Sequence, residues 1–373
     1  MAPMRRRHLM QWMAGSLLPP LSAMVQAQGV RHRPLVFPAD FGSHPDTQTE
    51  WWYATGWLAP AVSTTAGHQV DPTHGFQLTF FRSRTEVAAD HPSAFAAKQL
   101  VFAHAAVADL PERRQRHDQR IARTGFGRAG SAVGDTQVNL GDWRLRRSGD
   151  TTASRYDATI TSPALGGTLA LSMQTTQPLL LQGDAGYSRK GPRPAQASHY
   201  YSQPQLAVTA TLTPNGQPAR TLHGTAWLDH EWSDSVLDRD AVGWDWIGIN
   251  LANGSALTAF RLRRADGSAL WAGGSWRTAG GATRAFGPDE VQFTAQRVWA
   301  SPATGGRYPV QWRVETPAGH WMVRALLDAQ ELDSRGSTGT VYWEGLSELL
   351  DGQGARVGLG YLEMTGYVGR LQL

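Results

Sequence analysis

The 373-residue chain contains no cysteine, which excludes disulfides and thiolate metal sites and leaves its stability to a packed core. An excess of one charge is nearly missing as well. The formal net charge is +4. Arg5, Arg6 and Arg7 supply three of those charges within the first 27 residues, so residues 28–373 carry only +1. A nearly neutral chain has no electrostatic footprint for nucleic acid. The uncharged stretch from Leu9 to Met24 falls short of the ~20 residues that a membrane helix needs, and Pro19-Pro20 would break it, so no stable transmembrane anchor is expected. Sustained helical periodicity is also scarce. The best candidate is Pro111–Arg123, with Arg113, Arg114, Arg116, Arg120 and Arg123. It reads as a solvated loop or short surface helix, or as a lid if it covers a barrel mouth.

The N-terminus has the layout of a cleavable export signal over residues 1–27: a basic start, an uncharged stretch, and a small-residue exit at Val25-Gln26-Ala27. The consecutive arginines point to the twin-arginine route. The expectation is a periplasmic or secreted protein. What remains after cleavage exceeds the length at which a single core stops growing, so two domains are expected.

Period-two alternation dominates the rest, as in Phe76, Leu78, Phe80; Leu169, Leu171, Met173; Leu206, Val208, Ala210, Leu212; and Val310, Trp312, Val314. These are half-buried strands. Turn signals separate strands at Pro214-Asn215-Gly216, Ala252-Asn253-Gly254, Ala265-Asp266-Gly267 and Leu350-Asp351-Gly352. Val62–His74 reads as a surface loop. The fold class is therefore all-β, a meander of antiparallel strands, for which closed barrels remove the sheet edges. Fifteen tryptophans against eleven phenylalanines suit wide barrel interiors or apolar ligand cavities. An echo between Trp51-Trp52-Tyr53 and Tyr342-Trp343 hints at two related halves.

Common catalytic signatures are absent or out of context. Gly125-Phe126-Gly127-Arg128-Ala129-Gly130 fits a dinucleotide pattern by letter, but it follows a basic stretch and opens no amphipathic helix. There is no nucleophile elbow and no P-loop. His230-Glu231 lacks a second histidine one helical turn later, so no metal site is expected.

Ionisable residues instead sit among aromatics in four places: Glu50-Trp51-Trp52-Tyr53; Leu228-Asp229-His230-Glu231-Trp232 with Gly243-Trp244-Asp245-Trp246; Tyr342-Trp343-Glu344-Gly345; and Tyr361-Leu362-Glu363. Desolvation beside indoles shifts proton affinities, so such groups can be poised as acids or bases. Equally, each can be a buried polar group that satisfies backbone donors and fixes register.

These words carry a family resemblance. Thr49-Glu50-Trp51-Trp52-Tyr53-Ala54-Thr55-Gly56, Phe76-Gln77-Leu78-Thr79-Phe80-Phe81-Arg82, His104-Ala105-Ala106-Val107-Ala108-Asp109 and His199-Tyr200-Tyr201-Ser202 resemble blocks of the secreted-hydrolase (AttH-like) and carotenoid 1,2-hydratase (CrtC-like) family. So do the Asp229–Trp232, Gly243–Trp246 and Tyr342–Gly345 segments. The resemblance implies two consecutive lipocalin-like, calycin-type barrels, residues 33–236 and 237–373, the first closing near Asp229–Trp232. It further implies an apolar ligand, cofactor-free addition of water to an isoprenoid double bond in the hydratases, and cyclisation of polyenes in related fungal proteins, in a cavity between the domains. Some bacterial members are encoded beside transporter components.

Two readings follow. One is a cofactor-free hydratase, isomerase or cyclase for an isoprenoid or polyene-like molecule. The other is a periplasmic carrier of a lipophilic ligand that works with an ABC-type transporter. Acid-catalysed hydration needs a strong general acid and a wall that stabilises a carbocation. The candidate proton carriers are His230, Asp245, Asp229, Glu231 and Glu50. The candidate ligand-facing residues are Trp52, Trp232, Trp244, Trp246, Tyr201, Tyr342 and Glu344. On a strand, Asp229 and Glu231 face one side and His230 and Trp232 the other, and the second face is the preferred one here. The hydratase subgroup carries a Tyr-x-Asp pair on a later strand, where this chain has Ala259-Phe260-Arg261-Leu262, which leaves Asp245 or Glu50 as substitutes. No serine, cysteine or metal cluster supports hydrolysis.

Overall fold

The computed structural model describes residues 29–60, 70–235 and 237–371. The expected export signal and most of the expected Val62–His74 loop lie outside the described residues. Within them the chain is all-β, two consecutive lipocalin-like antiparallel barrels, with a single short 3-10 turn at Ala39–Phe41.

The first sheet runs, neighbour by neighbour, through Arg114–Arg123, Gln99–Asp109, His74–Arg84, Thr49–Ala59, Arg220–Ser233, Ala197–Pro214, Gly167–Gln174, Arg155–Ser162, Trp143–Ser148, Gln137–Leu140 and Ala129–Ser131. Side chains stitch its two ends: Arg120 pairs with Asp142 and lies 4.4 Å over the Trp143 ring, and Ser162 donates to Asp118 at 2.6 Å. The second sheet runs through Thr283–Phe286, Ala269–Arg277, Ala256–Arg263, Gly243–Leu251, Arg356–Met364, Thr340–Leu350, Gly319–Ala325, Arg307–Thr316 and Gln292–Ala300. The four turn signals all join paired strands.

Pro111–Arg123 is not helical. Residues Arg114–Arg123 form a strand paired in full register with Gln99–Asp109. Both of its faces are polar, so it shows no alternation. Long-range pairing, not local pattern, decides its structure. The glycine-rich stretch at Gly125–Gly130 is a turn that opens into the Ala129–Ser131 strand.

Two kinds of strand are present. Trp143–Ser148 alternates buried with exposed, one face on the core and the other on solvent. Thr49–Ala59, Trp227–Ser233, Gly243–Leu251 and Thr340–Leu350 are buried on almost every residue. Their inner faces fill the barrels. Trp52, Phe80, Trp143, Tyr156 and Leu228 pack the first, and Ile247, Tyr308, Trp312, Trp343 and Leu362 the second. Their outer faces meet each other, and two cavities lie between the barrels.

The seam is tight away from those cavities. Trp227, Trp246, Leu346 and Tyr361 form a core of their own. Gly75 sits where a Cβ would come within 2.7 Å of the Tyr361 hydroxyl and 3.0 Å of Leu346 Cβ. A bulge between Gln203 and Leu206 pushes Gln205 into the second sheet, where it bonds Asn250, Leu251 and Ser255.

Candidate active site between the barrels

A cavity of ≈ 280 Å³ opens between the barrels. One wall is the outer face of the first sheet: Thr49, Trp51 and Tyr53, then Thr79 and Phe81, then Leu100 and Phe102, with Ile121 at the edge. Phe81 and Phe102 are cross-strand partners and stack at 4.7 Å. Asp229 and Glu231 lie opposite Tyr53 and Trp51, with Tyr200 opposite Glu231 on the far side. The facing wall carries Trp244, Trp246, Phe260, Leu262, Tyr342, Glu344 and Glu363 from the second sheet.

Strand parity places each residue. Leu228 belongs to the first barrel's core, and a one-residue slip would expose that whole set, so its neighbour Asp229 must face outward. The cavity therefore takes the Asp229 and Glu231 face. The preferred His230 and Trp232 face turns the other way, into the end of the first barrel.

Four carboxyl groups, Asp229, Glu231, Glu344 and Glu363, line this cavity. Lys190 is the one cation among the lining residues, 3.0 Å from Glu231 and 4.5 Å from the Tyr200 and Phe260 rings. The other three carboxyls have no cation to offset them here. Burial raises Asp229 to about 7, against donors that hold it down: Ser202 at 2.5 Å, Trp227 at 2.6 Å and Tyr200 at 2.7 Å. Glu344 and Glu363 are direct cross-strand partners. Burial first, and each other's charge second, push Glu344 well above the usual carboxylate range; burial raises Glu363 too, with Asp229 and Glu231 adding to it. Apart from the Tyr53 hydroxyl beside it, which holds it down against burial, the buried Glu344 Oε1 has no hydrogen-bond partner among the described residues.

Tyr342 is held from the first barrel. Its hydroxyl lies 2.7 Å from His104 Nδ1, His104 Nε2 lies 2.8 Å from Ser337 Oγ, and Ser337 donates to Gln119 at 2.6 Å. Burial lowers His104 to about 3, so the ring is neutral. The arrangement that satisfies every partner has Tyr342 donating to Nδ1 and Nε2–H donating to Ser337.

The remaining candidates build two plugs at barrel ends. In the first, Glu50 lies 2.9 Å from His230 Nε2, 2.8 Å from His44 Nδ1 and 2.9 Å from Arg82 Nε, and accepts from Ser43. Burial alone would raise Glu50; the His230 and His44 hydrogen bonds and charges overcome it and hold the carboxylate well below its usual range. His44 stacks on Trp232 at 3.7 Å, Trp52 stacks on His230 at 4.7 Å, and Tyr201 and Trp232 pack with Phe41. The ligand atoms of His44, Glu50 and His230 lie within 4.8 Å of one another, a spacing that suits a metal ion. The Arg82 guanidinium already takes the second Glu50 oxygen, so an added dication would meet a fixed positive charge. In the second plug, Asp245 bonds Arg261 at 2.7 Å and Tyr367 at 2.8 Å. Asp245 and Glu50 are thus structural counterparts, each an acid on the first strand of its sheet facing an arginine on the next. The Trp51-Trp52-Tyr53 and Tyr342-Trp343 echo falls on non-equivalent strands. Neither Glu50 nor Asp245 lines the cavity, so neither replaces the missing Tyr-x-Asp acid there.

Of the sequence candidates, the cavity gathers Asp229, Glu231, Trp244, Trp246, Tyr342 and Glu344; His230, Asp245, Glu50, Trp52, Trp232 and Tyr201 lie elsewhere. Glu363, Tyr53 and Tyr200 join the cavity from segments quoted above but were not among the named candidates, and Lys190 joins it unmentioned. Parity with Trp51 and Glu231 could have found Tyr53 and Tyr200. No local signal marks Lys190.

The sequence matches the AttH-like family model over residues 28–367. The structure is similar to that of a Nitrosomonas europaea protein, NE1406, assigned to AttH: 45% identity, 91% of this chain and 98% of that one covered, TM-score 0.80. It also shares its fold with kievitone hydratase from Nectria haematococca, at 14% identity, 89% and 93% coverage and a TM-score of 0.63. Among the curated proteins none matches the chain. With the whole two-barrel length matched in sequence and in fold, the chain belongs to the AttH-like family.

Proposed function

We propose that this protein is an acid catalyst, working without a cofactor, for hydration, isomerisation or cyclisation of an apolar, alkene-bearing molecule of the isoprenoid or polyene type. The observation that carries this reading is the Glu344 and Glu363 pair, two facing carboxyls raised by burial in an aromatic cavity. A carboxylic acid kept protonated at neutral pH is the reagent such chemistry needs.

In the proposed hydration, Glu344 gives its proton to the terminal alkene carbon, and the π electrons form the new C–H bond. The resulting tertiary cation faces the ring faces of Trp51, Trp244, Trp246 and Tyr53. A water oxygen adds to the cation and its surplus proton returns to the carboxylate, so alkene and water give an alcohol and the acid is regenerated. Loss of a different proton gives an isomer instead. The cavity is at the small end of the ~300–1,000 Å³ usual for ligand pockets. It suits a short isoprenoid or one end of a longer chain.

The competing reading is an exported carrier that hands a lipophilic ligand to an ABC-type transporter, and the apolar Phe81, Leu100 and Phe102 wall supports it. Both readings assume export to the periplasm through the N-terminal signal. Incubating the protein with nerolidol or lycopene in ¹⁸O-labelled water discriminates them. Labelled alcohol from native protein but not from Glu344→Gln supports the acid catalyst. Compound bound but unaltered by both proteins leaves the carrier.

A further inference from the structure

A second cavity, ≈ 380 Å³, shares Phe260 with the first. It is walled by the Gln182–Arg189 segment of the first barrel and by Trp271, Phe286 and Pro288 of the second. Phe260 lines both cavities. Its ring fits there because Gly273, directly opposite across the strands, has no side chain; a Cβ would meet Phe260 Cζ at 2.9 Å.

The consecutive residues Arg189 and Lys190 divide between these spaces. Lys190 enters the acid cavity and is neutralised by Glu231. Arg189 enters the second cavity, where its guanidinium lies 5.2 Å from the Trp271 ring and donates to the Gly191 and Pro192 carbonyls at 2.9 and 2.8 Å. Among the described residues it has no carboxylate partner, and its buried Nε has no hydrogen-bond partner. The acid in this cavity, Asp184, is solvent-exposed and pairs with His32 at 3.0 Å. A guanidinium held beside an aromatic ring in a cavity, with no carboxylate partner, is a receptor for an anionic oxygen.

We infer that the second cavity binds the anionic head, a carboxylate or phosphate, of an amphipathic ligand whose apolar end reaches past Phe260 towards Glu344 and Glu363. This rests on the reading above for the role of the apolar end alone. Head recognition sets which molecules enter and in which direction, which an acid acting on one double bond of a polyene requires.

The test uses a fluorescent undecanoic acid and its methyl ester, titrated into the full-length mature protein. Native protein should bind the acid about 10-fold tighter or more, the advantage of a charge-assisted bond. Arg189→Gln should erase that preference, Arg189→Lys should keep most of it, and Glu344→Gln and Lys190→Gln should leave it in place. Equal binding of acid and ester, binding of neither, or a preference lost with Lys190→Gln but kept with Arg189→Gln would overturn the inference. Turnover plays no part in this readout. A failed labelling assay therefore leaves the head site standing, and a failed titration leaves the Glu344 acid standing.

Discussion

Glu344 and Glu363 face each other as direct cross-strand partners on Thr340–Leu350 and Arg356–Met364, the arrangement in which two ionised carboxylates repel most strongly. Both are raised above the ordinary value near 4.5, so the pair keeps a proton to higher pH than a free carboxylate does. Activity should therefore fall as pH rises through the raised value. Glu363→Gln removes one source of the penalty on ionised Glu344, so the descending limb of kcat/KM should move to lower pH. Glu344→Gln should cost roughly 10²–10⁴-fold in kcat, the usual worth of a general acid. A pH–rate profile for the three proteins checks both. An unmoved limb in Glu363→Gln would mean that the two groups titrate independently.

The same groups set the pH dependence of stability. A raised carboxyl binds its proton more tightly in the folded chain, so its contribution is complete below the unfolded value of about 4.3 and is lost as pH rises through the folded value. For Asp229 that loss begins near pH 4 and is complete as pH passes about 7, and Glu344 and Glu363 add to it. Glu50 and Asp40 work in the opposite sense: both are held low, and their contribution disappears as pH falls below about 4. The two windows meet at the unfolded value, so the maximum from these groups should lie at roughly pH 4–4.5. Melting temperatures from pH 3 to 8 should show that maximum, and Glu344→Gln should flatten the alkaline side.

Fold class was legible because the solvent-facing strands alternate, and the hairpin turns carry asparagine or aspartate with glycine. The site was half legible, for a physical reason. Words such as Glu50-Trp51-Trp52-Tyr53 do not alternate because these strands are buried on both faces, one in a barrel and one in the seam. Composition marks such a strand as important but cannot say which residues face which side; that parity is fixed by distant core neighbours, as Leu228 fixes Asp229. Hence the cavity takes the Asp229 and Glu231 face and not the preferred His230 and Trp232 face. Lys190 and Arg189 were invisible because their partners, Glu231 and Trp271, are far away in sequence.

The barrel-end plugs should govern stability and leave binding alone. Glu50 and Arg82 are both fully buried and 2.9 Å apart. Removing one partner strands the other charge, at a typical cost of about 3–5 kcal/mol. Glu50→Ala should thus lower the denaturation midpoint sharply. His230→Ala should also destabilise, by a smaller amount, through the lost bond to Glu50 and the lost stack with Trp52. Both variants, where they fold, should still bind an apolar probe in the inter-barrel cavity with native affinity. Loss of binding at native stability in His230→Ala would return that histidine to the site.

The cavity depends on the distance at which the barrels are held, and Gly75 sits at a close approach between them. Its position meets Leu346 Cβ and the Tyr361 hydroxyl. The valine side chain would have to fit where even one added carbon is already too close. The barrel cores have no slack to absorb it, since interiors pack at crystal-like density, so the strain should appear as separation of the two sheets. Gly75→Val should therefore widen the cavity and wet the Glu344 and Glu363 pair. Once rehydrated, both carboxyls move back towards ordinary values, and the acid is spent at neutral pH. The expected result is a folded protein, lower in melting temperature by an overpacking cost of about 1–3 kcal/mol, whose descending pH limb has shifted towards acid. Difference infrared spectroscopy of the protonated carboxyl band follows that shift directly. An unchanged band in a destabilised Gly75→Val would show that the seam does not control the acid pair.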